Sequence, residues 1–194
     1  MNKFHISPFF PLIWAGLLLF NRAEYVLYLF FAALIHETAH IVLALLFRAD
    51  FSSLTLQPFG VSASLSSAAA LTCTQEILVS LAGIAANLIA AVLCLSQAVL
   101  FSGNKMDFVL CNTLLAAVNL LPIEPLDGGR ALYYALLRHR EPPAAQKISR
   151  LISLLFLFPL AAVSVWLLLA TGYNFSLLLI VVYLFVFLFV KKSF

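Results

Sequence analysis

The sequence predicts an all-α polytopic membrane protein with about six transmembrane helices and a short membrane-associated β-hairpin. Three observations lead there. Hydrophobic residues make up 64% of the 194 positions, charged residues only 10%, and the mean hydropathy is +1.08. A soluble domain of this length needs far more polar surface. Apolar runs recur at 6–20, 25–47, 77–101, 108–121, 151–170 and 177–190. Between the second and third runs, residues 51–66 alternate apolar and polar side chains instead.

The first run follows Lys3 in the manner of a signal peptide. It lacks a small-x-small cleavage site before Asn21-Arg22, so it is expected to be a retained first span. Runs 25–47, 77–101 and 151–170 reach the length of about 20 residues that crosses a bilayer core. The other three are shorter, and tilt, local thinning or a partly irregular stretch is expected to accommodate them. Within 51–66, Leu54-Thr55-Leu56-Gln57 and Val61-Ser62-Ala63-Ser64-Leu65 have period two, with Gln57-Pro58-Phe59-Gly60 between them. That is a hairpin pattern, too polar to span, at the membrane surface or in a protein-lined cavity. Ala131–Leu137 with Arg138-His139-Arg140 reads as a short interfacial helix, ended by Pro142-Pro143. No linker or polar block is long enough for a further domain. Residues 1–194 are therefore expected to form a single membrane domain with no separate soluble domain.

Loop charge sets the orientation. With both termini cytoplasmic, that side receives Lys3, Arg48, Arg130, Arg138, Arg140, Lys147, Arg150, Lys191 and Lys192, and the other side only Arg22 and Lys105. The formal charge of +3 therefore reports topology in a bacterial-type cell membrane, and no nucleic-acid partner is expected. Cys73, Cys94 and Cys111 form no CxxC pair, and an odd number argues against a disulfide framework.

The chemistry lies inside the second run. His36-Glu37-Thr38-Ala39-His40 is an HExxH pattern. Histidines four apart share one helix face and can both reach a Zn²⁺, while Glu37 can take a proton from a water that the metal polarises. The bland alternative is a hydrogen-bonded set of core side chains. It is weak here, because a charged residue at the bilayer centre costs roughly 2.5–3.5 kcal/mol. A catalytic zinc has three protein ligands, and the candidates for the third are Glu24, Asp50, Glu76, Asp107, Glu124, Asp127, Glu141, His5 and His139. The second run travels inward and places the histidines in its cytoplasmic half. The fourth run, also inward, delivers Glu124 and Asp127 to a similar depth. Asp127 precedes Gly128-Gly129, which permits a tight turn and close backbone approach, so Asp127 is the expected third ligand. Glu124 is the alternative ligand, and an N-cap for the following helix is the structural alternative for Asp127.

Asn119-Leu120-Leu121-Pro122-Ile123-Glu124-Pro125-Leu126-Asp127-Gly128 fits an NxxPxxxxDG pattern. With HExxH on a separate apolar segment, it resembles the site-2 proteases, the intramembrane zinc metalloproteases of peptidase family M50. Ser80-Leu81-Ala82-Gly83-Ile84-Ala85-Ala86-Asn87 looks like the family's AGPxxN stretch, with Ile84 in place of proline. Pro58, Phe59 and Gly60 resemble its substrate-presenting hairpin, with Val61 where a second glycine is common. The six-run layout is most like the sporulation-protease branch, whose members cleave a membrane-bound sigma-factor precursor. Because the sequence reaches Phe194 soon after its last apolar run, the CBS domain typical of that branch is not expected.

The resemblance implies one Zn²⁺ per chain held by His36, His40 and Asp127, with Glu37 as the catalytic acid–base. It further implies that Asn119 binds a substrate carbonyl or the developing oxyanion, and that Asn87 positions substrate. The alternative for each asparagine is an interhelical polar contact. The expected substrate is a membrane protein cut within or near a transmembrane segment, with room for an inhibitory membrane partner. A metal transporter and a catalytically inactive binder are the competing readings, and neither needs Glu37 as a base.

Overall fold

The computed structural model describes residues 3–6, 23–49, 51–57, 60–65, 71–96, 104–172 and 176–190. Most of the first apolar run, together with Pro58 and Phe59, lies outside the described residues. The chain divides into two compact units, Met1–Val118 and Asn119–Phe194.

The first unit contains strand β1 (Lys3–Ile6), helix α1 (Ala23–Leu46), strands β2 (Phe51–Gln57) and β3 (Gly60–Leu65), and helix α2 (Cys73–Leu95). Helix α3 (Lys105–Leu120) runs two residues beyond it. Helix α1 closes with a Schellman arrangement. Arg48 N–H donates to the Leu45 carbonyl at 2.9 Å, and Ala49 N–H reaches back to Ala44 at 3.0 Å. Arg48 carries the left-handed turn at φ 60°, a conformation that usually selects glycine. The accompanying apolar contact is present, since Ala44 and Ala49 pack together with Val79 of α2.

Period two in residues 51–65 gives strands β2 and β3, paired antiparallel from Gln57–Gly60 to Phe51–Leu65, with an irregularity between Phe51 and Ser53. Strand β2 is central, because β1 pairs with its other edge in parallel, Lys3 opposite Ser53 through Ile6 opposite Leu56. A strand over Lys3–Ile6 was not foreseen. Four residues are too few for alternation to register, and only the long-range pairing with β2 makes them a strand.

Helix α2 begins with a capping box. Gln75 N–H donates to Thr72 Oγ1 at 3.3 Å, while Thr72 N–H donates to Gln75 Oε1 at 2.9 Å. At the start of α3, Asn104 N–H donates to the Tyr28 hydroxyl at 3.0 Å, and the Tyr28 and Phe108 rings meet edge to face at 6.3 Å. These contacts fasten α3 to α1.

The second unit holds helices α4 (Asp127–Leu137), α5 (Pro142–Thr171) and α6 (Ser176–Val190) around a core of Ile123, Leu157, Val181, Leu184 and Leu188. The short interfacial helix expected over 131–137 begins four residues earlier and stops at Leu137 without needing the prolines. Pro142 and Pro143 instead open α5, in the first turn, where a missing N–H leaves no bond unmade. Ser153 of α5 bridges to the segment before α4, accepting from Glu124 N–H at 3.0 Å. Gly172 ends α5 at φ 74°.

Among the described residues, three helices are long and apolar enough to cross a membrane: Glu24–Leu46, Cys73–Leu95 and Pro142–Thr171. Leu177–Phe189 forms a shorter apolar helix. The 16 residues of α3 extend only ~24 Å against a hydrocarbon core of ~30 Å. Burial departs from the pattern of a soluble protein. His36, Glu76, Ser80, Asn87, Asn112, Ser149, Ser153 and Ser164 are buried, whereas Leu169, Phe158 and Leu46 are more than two-thirds exposed. Large apolar groups turned outward and small polar groups turned inward are what a lipid solvent selects.

Candidate metal centre

Uninterrupted helix through α1 puts His36 and His40 one turn apart, with ring centroids 4.7 Å from each other. His36 is buried and His40 half-buried. Each ring is held by its Nδ1. His40 Nδ1–H donates to the main-chain carbonyl of Val79 at 2.6 Å, an acceptor that fixes where the proton lies. His36 Nδ1–H donates to Asn87 Oδ1 at 2.8 Å. Both contacts come from α2, and both fix the ring through Nδ1, the usual arrangement around a metal-binding histidine that coordinates through Nε2.

Gly83 lets both imidazoles pack directly against α2. A Cβ there would lie 2.5 Å from His40 Nε2 and 2.7 Å from His36 Cε1. The donor chemistry suits zinc: two imidazoles tied at Nδ1 on one helix face, packed against a glycine. Glu37, between the histidines in sequence, is half-buried on the same helix.

Asn87 was expected to position substrate. It is fully buried, and both amide protons are committed, to the Ala32 carbonyl at 3.0 Å and to Asn112 Oδ1 at 2.9 Å. Asn112, equally buried, donates in turn to the Phe108 carbonyl at 2.9 Å. Sequence reasoning missed Asn112 and the role of Gly83. The signal for the first was an amide within the apolar run 108–121, where an unsatisfied polar group is costly.

The second unit carries the other motif. Asp127 is the first residue of α4, and the N-cap is Leu126, which makes no side-chain cap bond. The N-cap alternative for Asp127 is therefore not realised. The two glycines after it serve close approach, not a left-handed turn. A Cβ on Gly128 would strike the Leu120 carbonyl, and one on Gly129 would lie 2.5 Å from the Ile123 carbonyl. Glu124, the alternative ligand, has its carboxylate engaged by the Gln146 side chain, which donates at 3.3 Å to each oxygen. Asn119 sits half-buried in the last turn of α3. In the hairpin, Gly60 opens β3 opposite Gln57.

The sequence profile of peptidase family M50 matches residues 106–160. Stage IV sporulation protein FB of Bacillus subtilis is 30% identical over 179 residues, covering 86% of this chain and 62% of that protein. The chain thus spans less than two-thirds of the length of this curated relative. The solved site-2 protease from Methanocaldococcus jannaschii has a similar fold, with a TM-score of 0.70 at 20% identity over 100% of this chain and 93% of that one.

Proposed function

We propose that the chain is a member of peptidase family M50 and an intramembrane zinc endopeptidase, a reading supported by the profile match and by the similarity to the sporulation protein. It would hydrolyse a peptide bond within or near a transmembrane segment of a membrane-bound substrate, a sigma-factor precursor being one such regulatory protein. The observation that carries the reading is the pair of histidines one turn apart on a span-length helix, each ring tied at Nδ1 to α2.

His36, His40 and Asp127 are the proposed ligands of one Zn²⁺ per chain, the carboxylate being assigned from the two motifs in the sequence. Zinc held by these residues would supply Lewis acidity toward a water and the scissile carbonyl. Glu37 takes the proton from that water and returns it to the leaving amine. Asn119 donates an amide N–H to the carbonyl oxygen as charge develops there. Asn87 serves His36 instead of substrate, because its amide protons are already committed. The hairpin, through Pro58, Phe59 and Gly60 and the edge of β3, presents an extended substrate segment. The proposed ligand set draws on HExxH and Asp127 together, so residues 1–194 are taken as one catalytic domain. Six spans with both termini cytoplasmic follow from the apolar runs and the loop charges. An inhibitory membrane partner is compatible with this layout.

The test is co-expression with a single-span membrane substrate, comparing wild type with Glu37→Gln. Cleavage should fall at least about 10²-fold while bound zinc stays unchanged. Equal cleavage by both proteins sinks the assignment of Glu37, and zinc uptake into vesicles unaffected by the substitution points to transport.

A further inference from the structure

We propose that Asn112 is a positioning residue for this centre: acting through Asn87, it holds the His36 imidazole with its proton on Nδ1 and its lone pair on Nε2. The inference rests on the metalloprotease reading and extends it to a residue in neither motif.

The direction of each hydrogen bond is forced by main-chain carbonyls, which can only accept. The Asn112 atom 2.9 Å from the Phe108 carbonyl must be the amide nitrogen, so its oxygen faces Asn87. The Asn87 atom 3.0 Å from the Ala32 carbonyl must likewise be nitrogen, and the same nitrogen donates to Asn112 Oδ1. Asn87 therefore turns its oxygen to His36, and the ring nitrogen 2.8 Å away has to carry a proton. The chain runs from α3 through α2 to α1. Both asparagines are fully buried, so bulk solvent does not reach them to replace a lost partner.

Asn112 matters because an amide can flip. A reversed Asn87 would aim an N–H at His36 Nδ1, favouring the tautomer whose proton sits on Nε2, where a metal must bind. Two acceptors, Ala32 O and Asn112 Oδ1, hold the amide the productive way round; without Asn112 only one does. The Tyr28–Asn104 and Tyr28–Phe108 contacts fix the end of α3 from which Phe108 offers its carbonyl.

The experiment uses the full chain in detergent and compares wild type, Asn112→Leu and Asn112→Asp. Zinc affinity is read by chelator competition, folding by thermal unfolding, and the His36 tautomer by ¹⁵N shifts in histidine-labelled protein. With only four histidines, His36 is assigned by its loss on substitution. Leucine should weaken zinc binding roughly 10–100-fold in a folded protein and give a mixed tautomer signal. Aspartic acid, which still offers Asn87 an acceptor, should bind zinc more tightly than the leucine variant. Wild-type affinity and a single tautomer in folded Asn112→Leu overturn the proposal. So does a loss that tracks thermal stability and is not relieved by aspartic acid. If the leucine variant does not fold, Asn112→Ala takes its place. Wild-type protein that binds no zinc defeats the metalloprotease reading, and the tautomer in the metal-free protein still decides the role of Asn112.

Discussion

His40 donates its Nδ1–H to the main-chain carbonyl of Val79 at 2.6 Å, so one of the two proposed histidine ligands is oriented by backbone that no substitution removes. The other, His36, depends on the Asn87 side chain. The two halves of HExxH therefore differ in how they can be perturbed. Replacing Asn87 acts on His36 alone, whereas His40 shifts only if α2 itself moves.

Gly83→Ala moves α2. Its methyl group would have to occupy a position 2.5–2.8 Å from both imidazoles, so either the helices part or the rings rotate. Expected are a destabilisation of about 1–3 kcal/mol, as for overpacking, and loss of most zinc affinity. Thermal unfolding and chelator competition on the same preparation measure the two effects, and undiminished zinc binding would contradict the packing described.

Glu124 and Asp127 should separate cleanly. Asp127→Asn is expected to lower zinc affinity by at least about 10²-fold by removing an anionic ligand. Glu124→Gln should leave it nearly unchanged, because that carboxylate is already held by Gln146. Metal content after dialysis against a chelator distinguishes them, and the reverse order would make Glu124 the ligand.

Gly129→Ala should damage the fold before the chemistry. The added carbon would meet the Ile123 carbonyl at 2.5 Å and Glu124 N at 2.7 Å, and backbone cannot yield as a flexible side chain can. A loss of about 1–3 kcal/mol or more is expected, read as a lower unfolding temperature even in metal-free protein.

Arg48→Gly should stabilise. The exposed arginine holds φ 60° at the end of α1, and glycine relieves roughly 1 kcal/mol of left-handed strain. The gain appears as a raised unfolding temperature, and a drop would mean that the arginine side chain matters more than its backbone.

The elements most legible in the sequence were those whose pattern is local. HExxH placed two histidines on one helix face, and alternation in 51–65 gave β2 and β3. Less legible was whatever depends on a distant partner. Strand β1 exists only through its pairing with β2, and Gly83 is explained only by the imidazoles packed against it. Loop charge was also read imperfectly. Lys147 and Arg150 were assigned to a loop but lie within α5, where Arg150 donates to the Leu188 carbonyl at 2.7 Å and caps the end of α6. Helix periodicity is faint in this chain, because lipid-facing and core-facing residues are both apolar and what separates them is size and polarity.

The inward placement of asparagine and serine has a practical consequence for handling the protein. An interior joined by amide and hydroxyl hydrogen bonds depends on dryness, since each bond competes with any water admitted. The surrounding acyl chains thus contribute to stability by exclusion, without making a specific contact. A detergent too short to cover α1 and α2, or too mobile to keep their flanks sealed, would loosen the amides around His36 before it unwound a helix. Zinc retention should accordingly be the earliest casualty of a poor solubilisation, and a more sensitive gauge of it than helical content.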